Sequence, residues 1–419
     1  MKVIIVGAGL GGLGCAIACR RRGFEVVVYE QVKEFARLGD SIGFGPNSAR
    51  LFRRWGVYPE MEAISSKATE VQIFNYDSSD NCLGVDREIS LGESKYGCRG
   101  LIGHRGDYHL ILDRYAKSIG VTIHMATSIA SYDQHKPSIT TTSGVEDTAD
   151  VIICAEGVKS LGRFVVLGHE DKPQHSGYAV YRGFMPASLL RDDPVAGKFL
   201  ANGDSMRLFL APDMHGFVVT LRDGQEVNAV LTHKDQADVE ESWSAPGRKE
   251  DVLKLLEKWD PAVRRVWELM PSCIDWKLVF RPCLDKWVSD SGKIALMGDA
   301  AHPFLPTSTQ GASQAVEDGA TIAVCLERCG GDVETALRTY FEIRHDYVAD
   351  AQATGIKQRE TWHNLHEKES GAFKEAFDIN AVSQSNYYLW EGDAEKTAED
   401  KWDELSERIR KERKVGVAM

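Results

Sequence analysis

The apolar residues of this chain follow two different rhythms. Lys2–Val6 (KVIIV), Glu25–Tyr29 (EVVVY), residues 150–153 (DVII) and residues 293–297 (KIALM) are short, nearly unbroken apolar runs closed by turns. Such runs predict strands buried on both faces, as in a parallel sheet. Residues 13–22 read as a helix joining the first two. Between about 165 and 285 the rhythm changes. Residues 178–185, 206–211, 216–222 and 227–232 alternate apolar with polar, and turn residues such as Asn202-Gly203-Asp204 and Asp223-Gly224 stand between them. Alternation of that kind predicts a partly exposed antiparallel sheet. Residues 70–76 and 84–89 read as strands of a meander. Residues 249–258 and 261–270 read as amphipathic helices. The last quarter is helical: 338–348, then 349–369 with Trp362 as a core anchor, then a charge-dense stretch, 393–414, with Trp402, Leu405 and Ile409 on one helical face. The aromatic cluster Tyr387, Tyr388, Trp390 reads as packing.

Composition narrows the class. With 419 residues, 43% hydrophobic and 27% charged, the chain can bury a large core without disulfides, and its length predicts two or three domains. No apolar run approaches a membrane span, so no integral membrane segment is expected. The formal charge of −12 argues against a nucleic-acid surface. The nine cysteines are scattered without a CxxC pair, and Cys15/Cys19 and Cys325/Cys329 fall within apolar helical stretches. They read as small buried hydrophobes in a reducing compartment. Regular structure starts at Lys2 with no leader pattern before it, which predicts a cytoplasmic protein.

The first strand runs directly into Gly7-Ala8-Gly9-Leu10-Gly11-Gly12, a GxGxxG, and the second ends at Glu30, 18 positions after the third glycine. Each part has a job in holding a dinucleotide: Gly7 makes the tight turn, Gly9 lets the backbone approach a pyrophosphate, and Gly12 lets helix and strand pack closely. The helix N-terminus offers free amides to the phosphates. An acid at the end of the second strand accepts from a ribose diol, which favours FAD or NAD over NADP. Further pieces of the same style come later. Arg105 stands before a helix with Asp107 as expected N-cap. Glu156 and Gly157 end the third apolar run. After the fourth, Gly298-Asp299 leads through His302, Pro306 and Gly311-Ala312 into a long helix from about residue 313.

Taken in order, GAGLGGLG with Glu30, HRGDYH, DVIICAEG and GDAAHPFLPTSTQGASQAVED resemble the single-component FAD-dependent aromatic hydroxylases, the monooxygenases typified by salicylate hydroxylase and p-hydroxybenzoate hydroxylase. The resemblance covers roughly residues 1–345, and the wording of its last block is similar to fungal secondary-metabolism members. It implies a Rossmann-like α/β FAD-binding domain written in two parts, 1–165 and 286–345, an inserted antiparallel-sheet substrate domain, 166–285, and a helical region, 346–419. It implies that Gly7, Gly9, Gly12, Glu30, Arg105, Glu156, Asp299, Pro306, Gly311 and Ala312 serve FAD. The Asp of the family's Ala-Asp-Gly is Glu156 here, and Arg163 matches a family arginine loosely. His302 shapes the flavin loop in that family. In the YRG segment, Tyr181 or Arg182 would face the substrate; strand alternation allows only one of them. The implied reaction consumes NADH or NADPH and O₂ and inserts one oxygen atom, through a flavin C4a-hydroperoxide, into a phenolic, indolic or polyketide-derived substrate. The alternatives on the same scaffold are an FAD oxidase or dehydrogenase and a non-catalytic flavin-binding module. A monomer or homodimer with no metal is expected.

Overall fold

In the computed structural model, which describes residues 1–37, 39–235, 245–367, 370–383 and 386–417, the apolar runs meet in one five-stranded parallel sheet. Its order is Ile294–Leu296, Val151–Cys154, Lys2–Val6, Glu25–Tyr29, Thr122–His124. Lys2–Val6 is central, with Val3 opposite Val26 on one side and Val151 on the other. Val3, Ile4 and Ile5 are wholly buried, which is why the run has no polar face. The edge strand Thr122–His124 is three residues long and partly exposed, and has no apolar run to announce it.

The two helices that follow glycine loops, Leu10–Arg21 and Gly311–Arg328, pack against each other through small residues. A Cβ on Gly319 would come within 2.6 Å of the Cys15 backbone, and one on Gly11 within 2.8 Å of Ala315 Cβ. Close approach places both helix starts at one end of the sheet. Residues 338–348 and 349–369, read separately in the sequence, fall on one uninterrupted helix, Val333–His363, which stops six residues short of the expected end, where residues 368 and 369 lie outside the described residues. That helix and Ala394–Val417 both pack on Gly311–Arg328, and Trp402 and Ile409 are buried there with Leu405 against the core. All nine cysteines are free. Among the described residues no helix is long and apolar enough to cross a membrane.

The second sheet has eight strands, in the order Ala245–Pro246, Ile274–Phe280, Gln174–Pro186, Glu226–Lys234, Met214–Leu221, Ser205–Ala211, Val71–Asn75, Cys82–Asp86. It departs from the expected antiparallel sheet in two respects. Ser205–Ala211 and Val71–Asn75 pair in parallel, and the strands at 71–86 come from well before residue 166. Val71–Asn75 is apolar on both faces, Ile73 in front and Phe74 behind, so it is buried inside the sheet rather than left as a separate meander.

Register divides the sheet into two faces. Tyr178, Val180, Arg182 and Phe184 share the front with Val230, Phe217, Leu208, Trp276 and Leu278. Tyr181, Met185, Leu231 and Phe209 are behind, covered by helices Lys249–Leu255 and Pro261–Leu269 through Val252, Val263 and Trp267. The front is turned towards the first sheet's loops: Val180 and Leu278 pack on Leu305, and Ile73 and Leu208 pack with Trp362.

Candidate active site

The first loop is built by its glycines. Gly7 has φ +99°, where an L side chain is strained, and a Cβ there would strike the Ala155 carbonyl. A Cβ on Gly12 would collide with the Gly7 carbonyl, whereas one on Gly9 would meet nothing within 4 Å. Gly9 therefore opens onto free space while its neighbours close the turn. Leu13 is the first amide of the helix to find a backbone carbonyl, that of Gly9 at 2.9 Å. Among the described residues the amides of Leu10, Gly11 and Gly12 have none, and no side chain caps the helix. These uncapped donors and the helix dipole make an anion cradle. Glu30 stands at its lip, with Oε2 accepting from Ala8 N at 2.8 Å and Oε1 from Val32 N at 3.0 Å. Each oxygen keeps a lone pair for a ligand hydroxyl. Burial pushes the His109 pKa down, and the neutral ring donates from Nε2 to Ala8 O at 2.6 Å, fixing that peptide from its other side.

The second loop repeats the arrangement. The single turn Gly298–Ala300 follows strand Ile294–Leu296, and the turn Pro306–Ser308 leads through Thr309, at φ +52°, into Gly311–Arg328. Gln314 is the first amide of that helix with a backbone acceptor, Gln310 O at 2.8 Å, and among the described residues the amides of Gly311, Ala312 and Ser313 have none. The Asp299 carboxylate has no hydrogen bond or ion pair to any described residue, and burial pushes its pKa up. The exposed Arg105 guanidinium is likewise unpaired among the described residues, and its charge acts on both Asp299 and Arg182. Arg105 is the first residue of helix Arg105–Ser118 rather than the residue before it. The N-cap is His104, whose Nδ1 accepts from Gly106 N at 3.1 Å, and not Asp107, whose carboxylate is held by Arg37 at 2.8 Å and Arg222 at 2.7 Å.

Buried groups hold the second loop from below. His302, wholly buried, meets Asp318 Oδ2 through Nε2 at 2.6 Å; the same oxygen accepts from Gly298 N at 2.9 Å, and Oδ1 from Arg344 Nε at 2.9 Å. The imidazole thus braces the loop. Helix Val333–His363 presses on the turn at Gly355, where a Cβ would lie 2.7 Å from Ser308 Cβ, and Thr307 Oγ1 donates to Gly355 O at 2.8 Å. Arg163, also buried, donates to Ala300 O at 2.6 Å and pairs with Asp171. Glu156, expected to serve the cofactor, is bonded within its own loop. One carboxylate oxygen accepts from Ser160 Oγ and from Gly162 N at 3.2 Å, so its longer arm reaches forward to the start of helix Leu161–Leu167.

On the front face of the second sheet, Arg182 and Tyr181 part company. Arg182 Nη1 lies 2.9 Å from Asp40 Oδ2, and its guanidinium carbon is 3.9 Å from the centre of the Trp276 ring. Its Nε is buried without an acceptor. Burial lowers its pKa below the usual arginine range. Tyr181 is on the opposite face, stacked on His233 at 4.7 Å and lining a separate cleft of about 680 Å³ with Met214 and Leu255. The period-2 pleat puts it there, so of the two residues only Arg182 can meet a ligand held between the sheets. Sequence reasoning missed Asp40 and Trp276; neither carries a local signal, because each matters only through the fold. His215 lies within strand Met214–Leu221 and is buried.

The two uncapped helix starts, the open approach at Gly9, Glu30 at a strand tip and the unpartnered Asp299 carboxylate match the polar groups of a dinucleotide: a pyrophosphate, a ribose and a polyol chain. Comparison with known proteins agrees. Residues 1–354 match the sequence family described as FAD binding domain. The asperlicin C monooxygenase of Petromyces alliaceus is 30% identical over 384 residues, covering 87% of this chain and 81% of that protein. The FAD-dependent monooxygenase notI of Aspergillus sp. (strain MF297-2) is 31% identical over 98% of this chain and 94% of its own. The crystal structure of CtdE in complex with FAD and substrate 4 has a TM-score of 0.86 and 27% identity, covering 98% of this chain and 100% of that one.

Proposed function

The chain belongs to the family of FAD-dependent monooxygenases built on this FAD-binding domain, and we propose that it oxygenates an aromatic natural product, phenolic, indolic or polyketide-derived, held between the flavin loop and Arg182. The observation that carries this reading is the Arg182–Asp40 pair beside Trp276, on the sheet face that packs against Leu305. Bound FAD supplies the redox chemistry: it accepts a hydride from NADH or NADPH, activates O₂ and delivers one oxygen atom to an electron-rich carbon.

The chain's own residues do the rest. The free amides from Leu10 to Gly12 would hold the pyrophosphate behind Gly7, Gly9 and Gly12. Glu30 would hold the adenosine ribose, and Asp299 and Arg105 the ribityl and pyrophosphate region. The amides of Gly311 and Ala312, at a helix start, favour negative charge on the pyrimidine end of the ring, with Pro306 at its border. Arg182 donates from its unused Nε to a phenolate or carboxylate of the substrate, and Asp40 keeps the guanidinium aimed. Val180, Leu278, Leu305 and Ile356 make an apolar wall that keeps water from the reacting atoms. We assign Glu156 to its loop rather than to the cofactor. The division 1–165 and 286–345 for the FAD-binding part, 166–285 for substrate and 346–419 for the helical region belongs to the same reading, with residues 71–86 added to the substrate sheet. So do a cytoplasmic location and a monomer or homodimer.

Incubation of the FAD-loaded protein with NADH or NADPH, ¹⁸O₂ and a panel of phenols, indoles and asperlicin C tests this. A product heavier by one ¹⁸O atom is expected. An oxidised product without label, formed with no nicotinamide, identifies an oxidase or dehydrogenase instead.

A further inference from the structure

A second cationic station stands on the front face of the substrate sheet. Arg359, on helix Val333–His363, is only 9% exposed, and its guanidinium carbon lies 4.3 Å from the centre of the Tyr178 ring. Its Nε and Nη1 are buried without an acceptor, and the guanidinium makes no hydrogen bond or ion pair to any described residue. A buried charge left that way costs several kcal/mol (roughly) unless something compensates it. The nearest carboxylate to act on it is that of Glu360, next in the chain, which forms no ion pair with it, and burial still pulls the Arg359 pKa below the usual arginine range. One helical turn on, His363 Nε2 meets His215 Nδ1 at 2.8 Å, and burial pushes both imidazoles down, His363 to about 3, so the pair is neutral. His363 Nδ1 is a further buried atom without a partner.

Arg182 differs in one respect: Asp40 already neutralises it. Tyr178 and Arg182 are four residues apart on one strand face, about 13 Å at roughly 3.3 Å per residue. The face therefore carries an arginine paired with a carboxylate at one end and an arginine without an ion pair among the described residues at the other. Building on the function proposed above, we propose that Arg359 with Tyr178 binds a carboxylate of the substrate, which makes the substrate class an elongated aromatic acid whose reacting ring lies at Arg182. An anion pairs the buried charge directly as well as filling the unused donors, whereas a neutral carbonyl does only the latter.

The test uses the FAD-loaded full chain, with indole-3-propionate and its neutral amide as probes and the visible absorbance of bound flavin as the readout. The wild type should bind the acid roughly tenfold or more tightly than the amide, the size of one charge-assisted contact. Arg359→Met should bind both alike, with the amide constant unchanged and a melting temperature equal to or above wild type, because an unpaired buried charge is gone. Equal binding of acid and amide by the wild type, or an acid preference that survives Arg359→Met, overturns the proposal. Should Arg359→Met not fold, Arg359→Lys decides: a preference kept in part supports the site and its complete loss overturns it. Flavin content and bleaching by nicotinamide in the same samples report separately on the monooxygenase reading.

Discussion

Asp40 and Arg182 meet at 2.9 Å from opposite halves of the molecule, a loop beside the first sheet and a central strand of the second. The pair ties the substrate sheet to the cofactor half and leaves one arginine donor, Nε, unused. A hydrogen bond to a charged group contributes about 1.5–3 kcal/mol. Arg182→Met should therefore lower the rate of oxygenated product roughly 10- to 150-fold, with bound flavin unchanged and hydrogen peroxide released in its place. Asp40→Asn should act in the same direction and more weakly. Product and peroxide, counted per nicotinamide consumed, check both.

The glycines of the first loop separate folding from cofactor binding. Gly9→Ala points its methyl into open space, so the protein should fold with an unchanged melting temperature and lose FAD affinity. Gly12→Ala drives its methyl into the Gly7 carbonyl and should lower stability as well. Thermal denaturation of the apoprotein, followed by flavin titration, distinguishes the two.

Asp318 accepts from His302, Gly298 and Arg344, all at full burial. Its carboxyl is held below the ordinary range by His302, Arg344 and the Gly298 amide, against the opposing cost of burial. Its contribution is present above the unfolded carboxyl value and lost as pH falls through the lower folded one. Removing one partner of a buried ion pair costs about 3–5 kcal/mol. Asp318→Asn should lose that much in urea unfolding at pH 7, with the deficit shrinking in strong acid.

The neutral His215–His363 pair makes stability depend on pH as well. Burial depresses His363 from 6.5 to about 3, so the unfolded chain takes up a proton that the folded one refuses. Stability is full above 6.5 and falls as pH drops, by about 1.4 kcal/mol per pH unit for one proton. His363→Gln removes one such proton. The stability gap between variant and wild type should therefore change by about that amount per unit between pH 6 and 5, measured by chemical denaturation.

What could be read from the sequence was whatever the chain writes locally. The KVIIV strand, the three glycines, Glu30 and the run from Gly298 to Ala312 are contiguous, and each keeps its expected place at the mouth of one sheet. The mixed pairing of Val71–Asn75 could not be read, because strand direction depends on a neighbour some 130 residues away. For Glu156 a motif match says nothing of reach: with one more methylene its carboxylate meets Ser160 and Gly162. Tyr181 and Arg182 were left tied until register set their faces. Asp40, Trp276 and Arg359 are ordinary residues in the sequence and become chemical only when two sheets and a helix converge.

The most direct measurement is anaerobic addition of NADH or NADPH to the purified, FAD-loaded protein while the flavin absorbance is followed, with air admitted afterwards. The account predicts one FAD per chain, bleaching by at least one of the two nicotinamides, and return of the colour with O₂. Protein that takes up no FAD, or whose bound FAD neither nicotinamide bleaches with or without an aromatic acid present, would contradict it.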